Sequence, residues 1–286
     1  MLIANPLASG VSERRLEAVQ RVLPPDTETV LTLDRGHATE LAREWAPRVD
    51  AVYVFSGDGT YNEVLNGLEV DVPVGFVPGG GTSVLPRALG LPRDAVRAAE
   101  RIALGRQRRI SLGRVNGRRF GFSAGIGFDA ELVRRVDALG RRRDGKRPGD
   151  IAFGWTVVRM LLDHHLRFEP ALEVEGLGRA AFVFVANCTP YTYAACIGLR
   201  FAPDATFEGG LDVVAPTTVR ARAVPRLFVQ AVRGRPARKD VLYGHDLDHV
   251  AIRCDRPLPL QVDGEDVGDV ELAVIDAERD ALTVLV

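Results

Sequence analysis

The chain has 286 residues, 46% hydrophobic and 26% charged, which excludes extensive disorder and favours two domains over one. A formal net charge of −1 excludes the strong basic bias of a nucleic-acid-binding protein. No apolar run is long enough to span a bilayer and Met1–Gly10 does not read as a signal peptide, so we expect a cytoplasmic protein with no transmembrane segment. Cys188, Cys196 and Cys254 have neither metal-ligand spacing nor a disulfide framework.

In chain order, short apolar runs first alternate with amphipathic stretches. Strands are expected at Leu2–Ala4, Thr29–Leu33, Ala51–Phe55 and Val74–Val77. Helices are expected at Ser12–Leu23, His37–Trp45, Tyr61–Leu68, Val84–Leu89 and Asp94–Leu104. This alternation implies βαβ units and a mostly parallel sheet covered on both faces. The period changes near residues 105–112. Arg109–Val115 and Arg118–Ser123 read as a hairpin about Asn116-Gly117. Helices at Ala130–Leu139 and Ile151–His164 follow. The remainder is strand-like at Ala171–Val174, Ala181–Ala186, Leu211–Val214, Val250–Cys254, Leu258–Val262, Val270–Ile275 and Ala281–Val286. The expected fold class is an N-terminal α/β domain with a mostly parallel sheet, followed by an antiparallel β-sandwich-like domain.

Ligands on open parallel sheets sit beyond the carboxyl ends of the strands. Three strand ends here carry small or polar residues: Asn5-Pro6-Leu7-Ala8-Ser9-Gly10, Ser56-Gly57-Asp58-Gly59-Thr60 and Pro78-Gly79-Gly80-Gly81-Thr82-Ser83. Glycines there let backbone N–H groups approach phosphate oxygens, and the following helix N-termini favour negative charge. Three such loops on successive βα junctions point to a polyphosphate site, although none is a Walker loop or a Gly-x-Gly-x-x-Gly fingerprint. A carboxylate beside phosphates is unfavourable unless a cation bridges them, so Asp58 reads as a Mg²⁺ residue, directly or through water. The alternative is a cap on a helix starting near Thr60.

SGDGTYNEVLNGL is similar to the GGDGT-x-NEV-x-NGL motif of the diacylglycerol kinase catalytic-domain family, which includes bacterial lipid kinases, sphingosine kinases and ceramide kinases. NPLASG, Thr32 with Gly36-His37-Ala38, PGGGTSVLPRALGLP, SAGIGFDAELV, APDATFEGGLDVV and QVDGED resemble the family's other motifs, in order. The resemblance implies an ATP-binding α/β domain over residues 1–110, to which a strand near 278–286 returns. It implies a β-rich lipid-substrate domain over 111–277, with the active site between the two. The implied chemistry is Mg²⁺-dependent transfer of the γ-phosphate of ATP to the hydroxyl of a diacylglycerol-like or sphingoid lipid at the membrane surface.

By the same resemblance Asp263 is the leading general base, and Glu265 substitutes for it or helps bind nucleotide and metal. Read locally, Asp263-Gly264 is a turn between strands. Gly57, Gly59, Thr60 and Asn62 are expected to line phosphates or ribose, Glu63 to orient a neighbouring group or stand solvated, and Thr32 to reach the adenine or phosphates. Gly127 and Asp129 are expected at the domain junction, Asp129 reading equally as a helix N-cap. Glu208 falls where many bacterial members place a structural Mg²⁺ ligand. Ser56 stands for a family glycine, Gly81-Thr82-Ser83 for Thr-Ala-Asn, Phe207-Glu208-Gly209 for Asp-Asp-Gly, and Tyr191–Ala195 for a Gly-Gly run.

Ile151–Leu162, with Phe153, Trp155 and Met160, reads either as a greasy wall for acyl chains or as a packing helix. Arg141, Arg142, Arg143, Lys146 and Arg147 either meet anionic headgroups or form a solvated loop. His164-His165 reads as a helix-end pair. The oligomeric state is open, a homodimer included. Two other readings stand beside the lipid kinase: an NAD-kinase-like enzyme of a soluble substrate, and a nucleotide- or lipid-binding relative without turnover.

Overall fold

A computed structural model describes residues 1–140, 150–194, 197–235 and 240–286, with backbone alone at 150–153 and 194. The chain divides into two compact units, Met1–Leu112 with Arg279–Val286, and Gly113–Glu278.

The first unit runs β1 (Leu2–Ala4), α1 (Glu13–Val22), β2 (Thr29–Leu31), α2 (His37–Trp45), β3 (Val52–Ser56), α3 (Asp58–Gly67), β4 (Val74–Pro78), α4 (Val84–Ala88) and α5 (Ala95–Ala103). The sheet is parallel in the order β2-β1-β3-β4, with Ile3 opposite both Val30 and Val54, and Val54 opposite Phe76. The end of the chain returns beside β4, where Val284 pairs with Val74. Every residue of β3 and β4 is buried, as a sheet covered on both faces requires. Val19 of α1 and Ala98, Ala99 and Ile102 of α5 pack with Leu2, Phe55 and Val77 of the sheet. Side-chain caps start two of these helices: Ser12 accepts from the N–H of Arg15, and Asp94 from that of Arg97. The third helix begins at Asp58, three residues ahead of the expected Tyr61, because extended Gly57 ends the strand and the chain turns helical at once.

The second unit contains β5 (Gln107–Val115, beginning in the first unit), β6 (Arg118–Phe120), β7 (Ser123–Ile126), α6 (Phe128–Ala138), α7 (Asp150–Asp163), β8 (Arg167–Phe168), β9 (Leu172–Val174), β10 (Gly178–Ala180) and β11 (Val183–Ala186). It continues through β12 (Thr192–Ala194), β13 (Ile197–Leu199), β14 (Leu211–Pro216), β15 (Val219–Arg220), α8 (Val224–Arg233), β16 (Val241–Leu247), β17 (His249–Val262) and β18 (Glu265–Leu285, ending in the first unit). Its main sheet is antiparallel, in the order β16-β14-β11-β7-β17-β18, with β9 also on β17. The strand period of two separates its faces. Val183 and Val185 enter a core with Ile126, Val174, Val213 and Ile252, while Phe184 and Ala186 enter another with Phe168, Phe182 and Tyr191. Leu161 of α7 and Val224 and Leu227 of α8 cover the second core.

Three expectations are corrected. The Asn116-Gly117 turn forms with both residues at positive φ and Val115 opposite Arg118, but the expected strand Arg118–Ser123 breaks at Gly121-Phe122, whose N–H groups face a side chain instead of a ladder. Val250–Cys254 and Leu258–Val262 belong to the single strand β17, with its register shifting across Pro257. Val270–Ile275 and Ala281–Val286 are likewise parts of β18, and α8 was not anticipated. Met160 is fully buried against Leu132 and Val136 of α6, so this part of Ile151–Leu162 is packing, whereas Trp155 and Leu162 are exposed. The side chain of Phe153 and the whole of Arg141, Arg142, Arg143, Lys146 and Arg147 lie outside the described residues. No helix among the described residues is long and apolar enough to cross a membrane.

Helices α2 and α3 pack so closely at Gly67 that a Cβ there would overlap the carbonyl oxygen of Thr39 and crowd the Cβ of Ala42, 2.9 Å away. Gly67→Ala is therefore expected to destabilise the protein by about 1–3 kcal/mol, read as a lower urea midpoint with an unchanged slope.

Candidate active site

In the first unit the three glycine-containing loops are bonded to one another at the carboxyl ends of β1, β3 and β4. The N–H of Gly10 donates to the carbonyl of Gly79 (2.7 Å), and the N–H of Gly79 donates to that of Ser56 (2.6 Å). Gly57 and Gly80 touch backbone to backbone: a Cβ on Gly80 would stand 2.8 Å from the Cα of Gly57. Only glycine permits that approach. Beneath the loops the buried Tyr61 hydroxyl lies 2.6 Å from the carbonyl oxygens of both Ser56 and Val77. Ser56 donates to Thr60 Oγ1 (2.8 Å), and Asn5 Nδ2 donates to the same oxygen (3.2 Å). Serine at position 56 thus adds a hydrogen bond that the family's glycine cannot make.

Asp58 is the first residue of α3, whose N-cap position is Gly57. Its Oδ2 accepts from the N–H of Val84 (3.0 Å) and its Oδ1 from the N–H of Leu85 (3.2 Å), so Asp58 caps α4 across the loops. Ser83, which precedes α4, cannot cap it. It sits in the left-handed region (φ 46°) with its hydroxyl turned back to Gly80. Glu63 likewise caps another helix, its Oε2 accepting from the N–H of Ala38 in α2 (3.3 Å).

The other expected residues divide by exposure. Pro6, Ser9, Gly81 and Thr82 are exposed, and Gly10, Gly57, Gly59 and Gly80 are partly so. Asn62 is corrected from lining the site to supporting it, since it is fully enclosed and accepts from Asn66 Nδ2. Thr32 and Thr60 are also buried, Thr32 donating its N–H to the carbonyl of Ala4.

In the second unit Asp263 and Gly264 form the two-residue turn between β17 and β18, both at positive φ, with Val262 opposite Glu265. The Asp263 side chain is 4% exposed and accepts three backbone N–H bonds, from Gly121 (2.7 Å), Phe122 (2.9 Å) and Ser123 (3.1 Å). The first two are the amides freed by the break between β6 and β7, and the third opens β7. Glu265 is more open and pairs with Arg118 at 3.3 Å.

Asp129 lies in the first turn of α6, whose N-cap is Gly127, so it is not the cap itself. Its carboxylate accepts from Gln261 Nε2 (2.9 Å) and the Tyr191 hydroxyl, and Gln261 Oε1 accepts from the N–H of Gly264 (2.8 Å). A chain of hydrogen bonds thus runs from Asp129 to the turn that carries Asp263. Enclosure of its carboxylate pushes Asp129 up to about 6, against the opposing hydrogen bonds from Tyr191 and Gln261. Sequence reasoning missed Arg118, Gln261 and Tyr191 in these roles; only the placement of Gln261 beside the Asp-Gly-Glu motif could have signalled one of them.

Glu208 is exposed on a loop whose Gly210 N–H donates to Asp246 (2.6 Å), a second residue that sequence reasoning missed. Among the described residues no group of three or more His, Cys, Asp or Glu side chains is placed to hold a metal. Asp58 offers a single carboxylate whose two oxygens already accept from the amides of Val84 and Leu85.

Residues 1–115 match the diacylglycerol kinase catalytic domain, and residues 123–286 match the YegS C-terminal NAD kinase beta sandwich-like domain. A diacylglycerol kinase of Bacillus subtilis is 30% identical over 84% of this chain and 79% of its own. The chain belongs to the diacylglycerol kinase catalytic-domain family. An uncharacterized protein of Synechocystis is 26% identical over 96% of this chain and 67% of its own. Among solved structures, a putative diacylglycerol kinase from Bacillus anthracis shares the family fold with a TM-score of 0.77 at 21% identity, covering 99% of this chain and 95% of that one. The family is one of kinases, and its two-part fold, parallel α/β then antiparallel sandwich, is the one described above.

A carboxyl group whose pKa is higher folded than unfolded binds more protons in the folded state. Its contribution is therefore largest below the unfolded value, near 4, and declines as pH rises to about 6. Asp129→Asn is expected to flatten the fall in unfolding free energy across that window, by an amount on the order of 2 kcal/mol, checked by urea titrations at stepped pH.

Proposed function

We propose that this protein is an ATP- and Mg²⁺-dependent lipid kinase that works from the cytoplasm at a membrane surface, transferring the γ-phosphate to a diacylglycerol-like or sphingoid hydroxyl. The observation that carries the nucleotide half is the backbone contact of Gly57 with Gly80, which makes a surface of main chain at the strand ends where a polyphosphate docks. The 30% identity to a diacylglycerol kinase supports the acceptor class.

In this reading Ser9, Gly10, Gly57, Gly59, Gly80, Gly81 and Thr82 contact ATP, while Asn5, Thr32, Thr60, Asn62, Glu63 and Ser83 hold those loops in shape. Mg²⁺, when bound with ATP, supplies the positive charge that offsets the phosphates, and Asp58 faces it through water. The base role moves from Asp263 to Glu265. Three backbone N–H groups engage the Asp263 carboxylate, which commits its oxygens to holding the chain around Gly121-Phe122. Glu265, next on the same turn and oriented by Arg118, takes the acceptor's proton.

Glu265→Gln is expected to lower transfer by roughly 10²–10⁴-fold while leaving the thermal midpoint in place. Asp263→Asn is expected instead to destabilise the fold by about 1–3 kcal/mol, because its amide nitrogen cannot accept a backbone N–H. Labelled ATP with diacylglycerol, sphingoid base, phosphatidylglycerol and NAD tests both the residues and the acceptor. Near wild-type turnover in Glu265→Gln would return the base to Asp263. Phosphorylated NAD without phosphorylated lipid would replace the lipid reading with the soluble-substrate one, which the NAD kinase-like description of the second match favours. Nucleotide binding without transfer would leave a binding relative.

A further inference from the structure

Helix α8 is amphipathic in an unusual way. Val224, Leu227 and Ala231, at helical spacing, face the phenylalanine-rich core of the second unit. Opposite them, Arg226, Val229 and Arg233 share one outward ridge, three and four residues apart. Phe228 lies on the flank between that ridge and the buried stripe, and both Phe228 and Val229 are 45% exposed. No carboxylate occurs in the sequence between Asp212 and Asp240. Within that interval Arg220, Arg222, Arg226, Arg233 and Arg235 form no ion pair with any described residue. Elsewhere on the second unit several arginines are paired, Arg134 with Asp266 and Asp269, Arg135 with Glu131 and Asp163, and Arg179 with Asp255, while Arg159, Arg253 and Arg256 are exposed singly rather than clustered on one helix.

The exposed apolar surface continues onto α7. The carbonyl of Leu166 accepts from the N–H of Ala221 (2.8 Å), and β8 pairs with β15, so the end of α7 is tied to the start of α8. Leu162 and Leu166 there are exposed as well.

We propose that the outward face of α8, extended by the end of α7, is the surface by which this protein lies on an anionic lipid bilayer, Phe228 and Val229 entering the headgroup boundary and the arginines meeting lipid phosphates. The charge pattern selects an anionic partner. Exposed phenylalanine and valine among the arginines then favour a bilayer over nucleic acid, since a bilayer alone rewards burial of both. The inference rests on the lipid-kinase reading for its purpose, but its test does not use catalysis.

The full-length protein would be sedimented with vesicles of phosphatidylcholine alone and of phosphatidylcholine mixed with phosphatidylglycerol. Binding is expected only to the mixed vesicles. The doubly substituted Arg226→Gln/Arg233→Gln and Phe228→Ser/Val229→Ser proteins are each expected to bind roughly tenfold or more weakly, with wild-type circular dichroism and thermal midpoints. Two differently altered pairs keep the test decisive should one variant misfold. Wild-type binding by both variants, equal binding to neutral vesicles, or retention on duplex DNA without vesicle binding would each overturn the proposal. Vesicle binding lost in both variants, in a protein that phosphorylates no lipid, would sink the lipid-kinase reading and leave this surface standing. Lipid phosphorylation with unimpaired binding by the variants would do the reverse.

Discussion

Carboxylates that accept backbone N–H groups hold both units in shape. Asp58 takes the first two amides of α4, and Asp263 takes three amides from the break between β6 and β7. Each such amide, left buried without a partner, would cost about 1–3 kcal/mol. Neither segment can supply its own acceptor. Ser83 is turned away from α4 in a left-handed conformation, and residues Gly121 and Phe122 have left the strand ladder. The acidic side chain of a distant turn therefore replaces what local structure lacks, and the loops on either side become one rigid object.

That rigidity is what a kinase site needs before it needs acidity. Phosphoryl transfer is largely a matter of position and of charges already in place, so loops that take up a polyphosphate have to be fixed in advance. The glycines serve the same end by removing bulk. Gly10 with Gly79, and Gly57 with Gly80, bring three strand ends into backbone contact. In the second unit the hydrogen-bonded chain from Asp129 through Gln261 to Gly264 fixes the turn from a second side. Glu265, the other carboxylate of that turn, is the less buried of the two and pairs with the Arg118 guanidinium.

Much of the fold was legible because period and glycine placement are local properties. The parallel half followed from apolar runs of strand length alternating with amphipathic stretches, and the Asn116-Gly117 turn from the two residue types that tolerate positive φ. The failures share a cause. β17 and β18 are long strands that bend through Pro257 and through polar, exposed stretches, so their apolar content is interrupted although their pairing is not. Helix α8 was missed although Val224, Leu227 and Ala231 stand at helical spacing.

The sequence by itself determined the two-part architecture and the kinase family, since motif order and periodicity survive without coordinates. It named Asp58, Glu63 and Asp263 as residues of consequence, but not what their carboxylates hold. Only the tertiary structure decided that each engages the backbone of another element, that Asn62 is enclosed, and that Glu265 pairs with Arg118. The reason is physical: a side chain's hydrogen-bond partners lie tens to hundreds of residues away in sequence, and which amides go unsatisfied is known only once every element is in place.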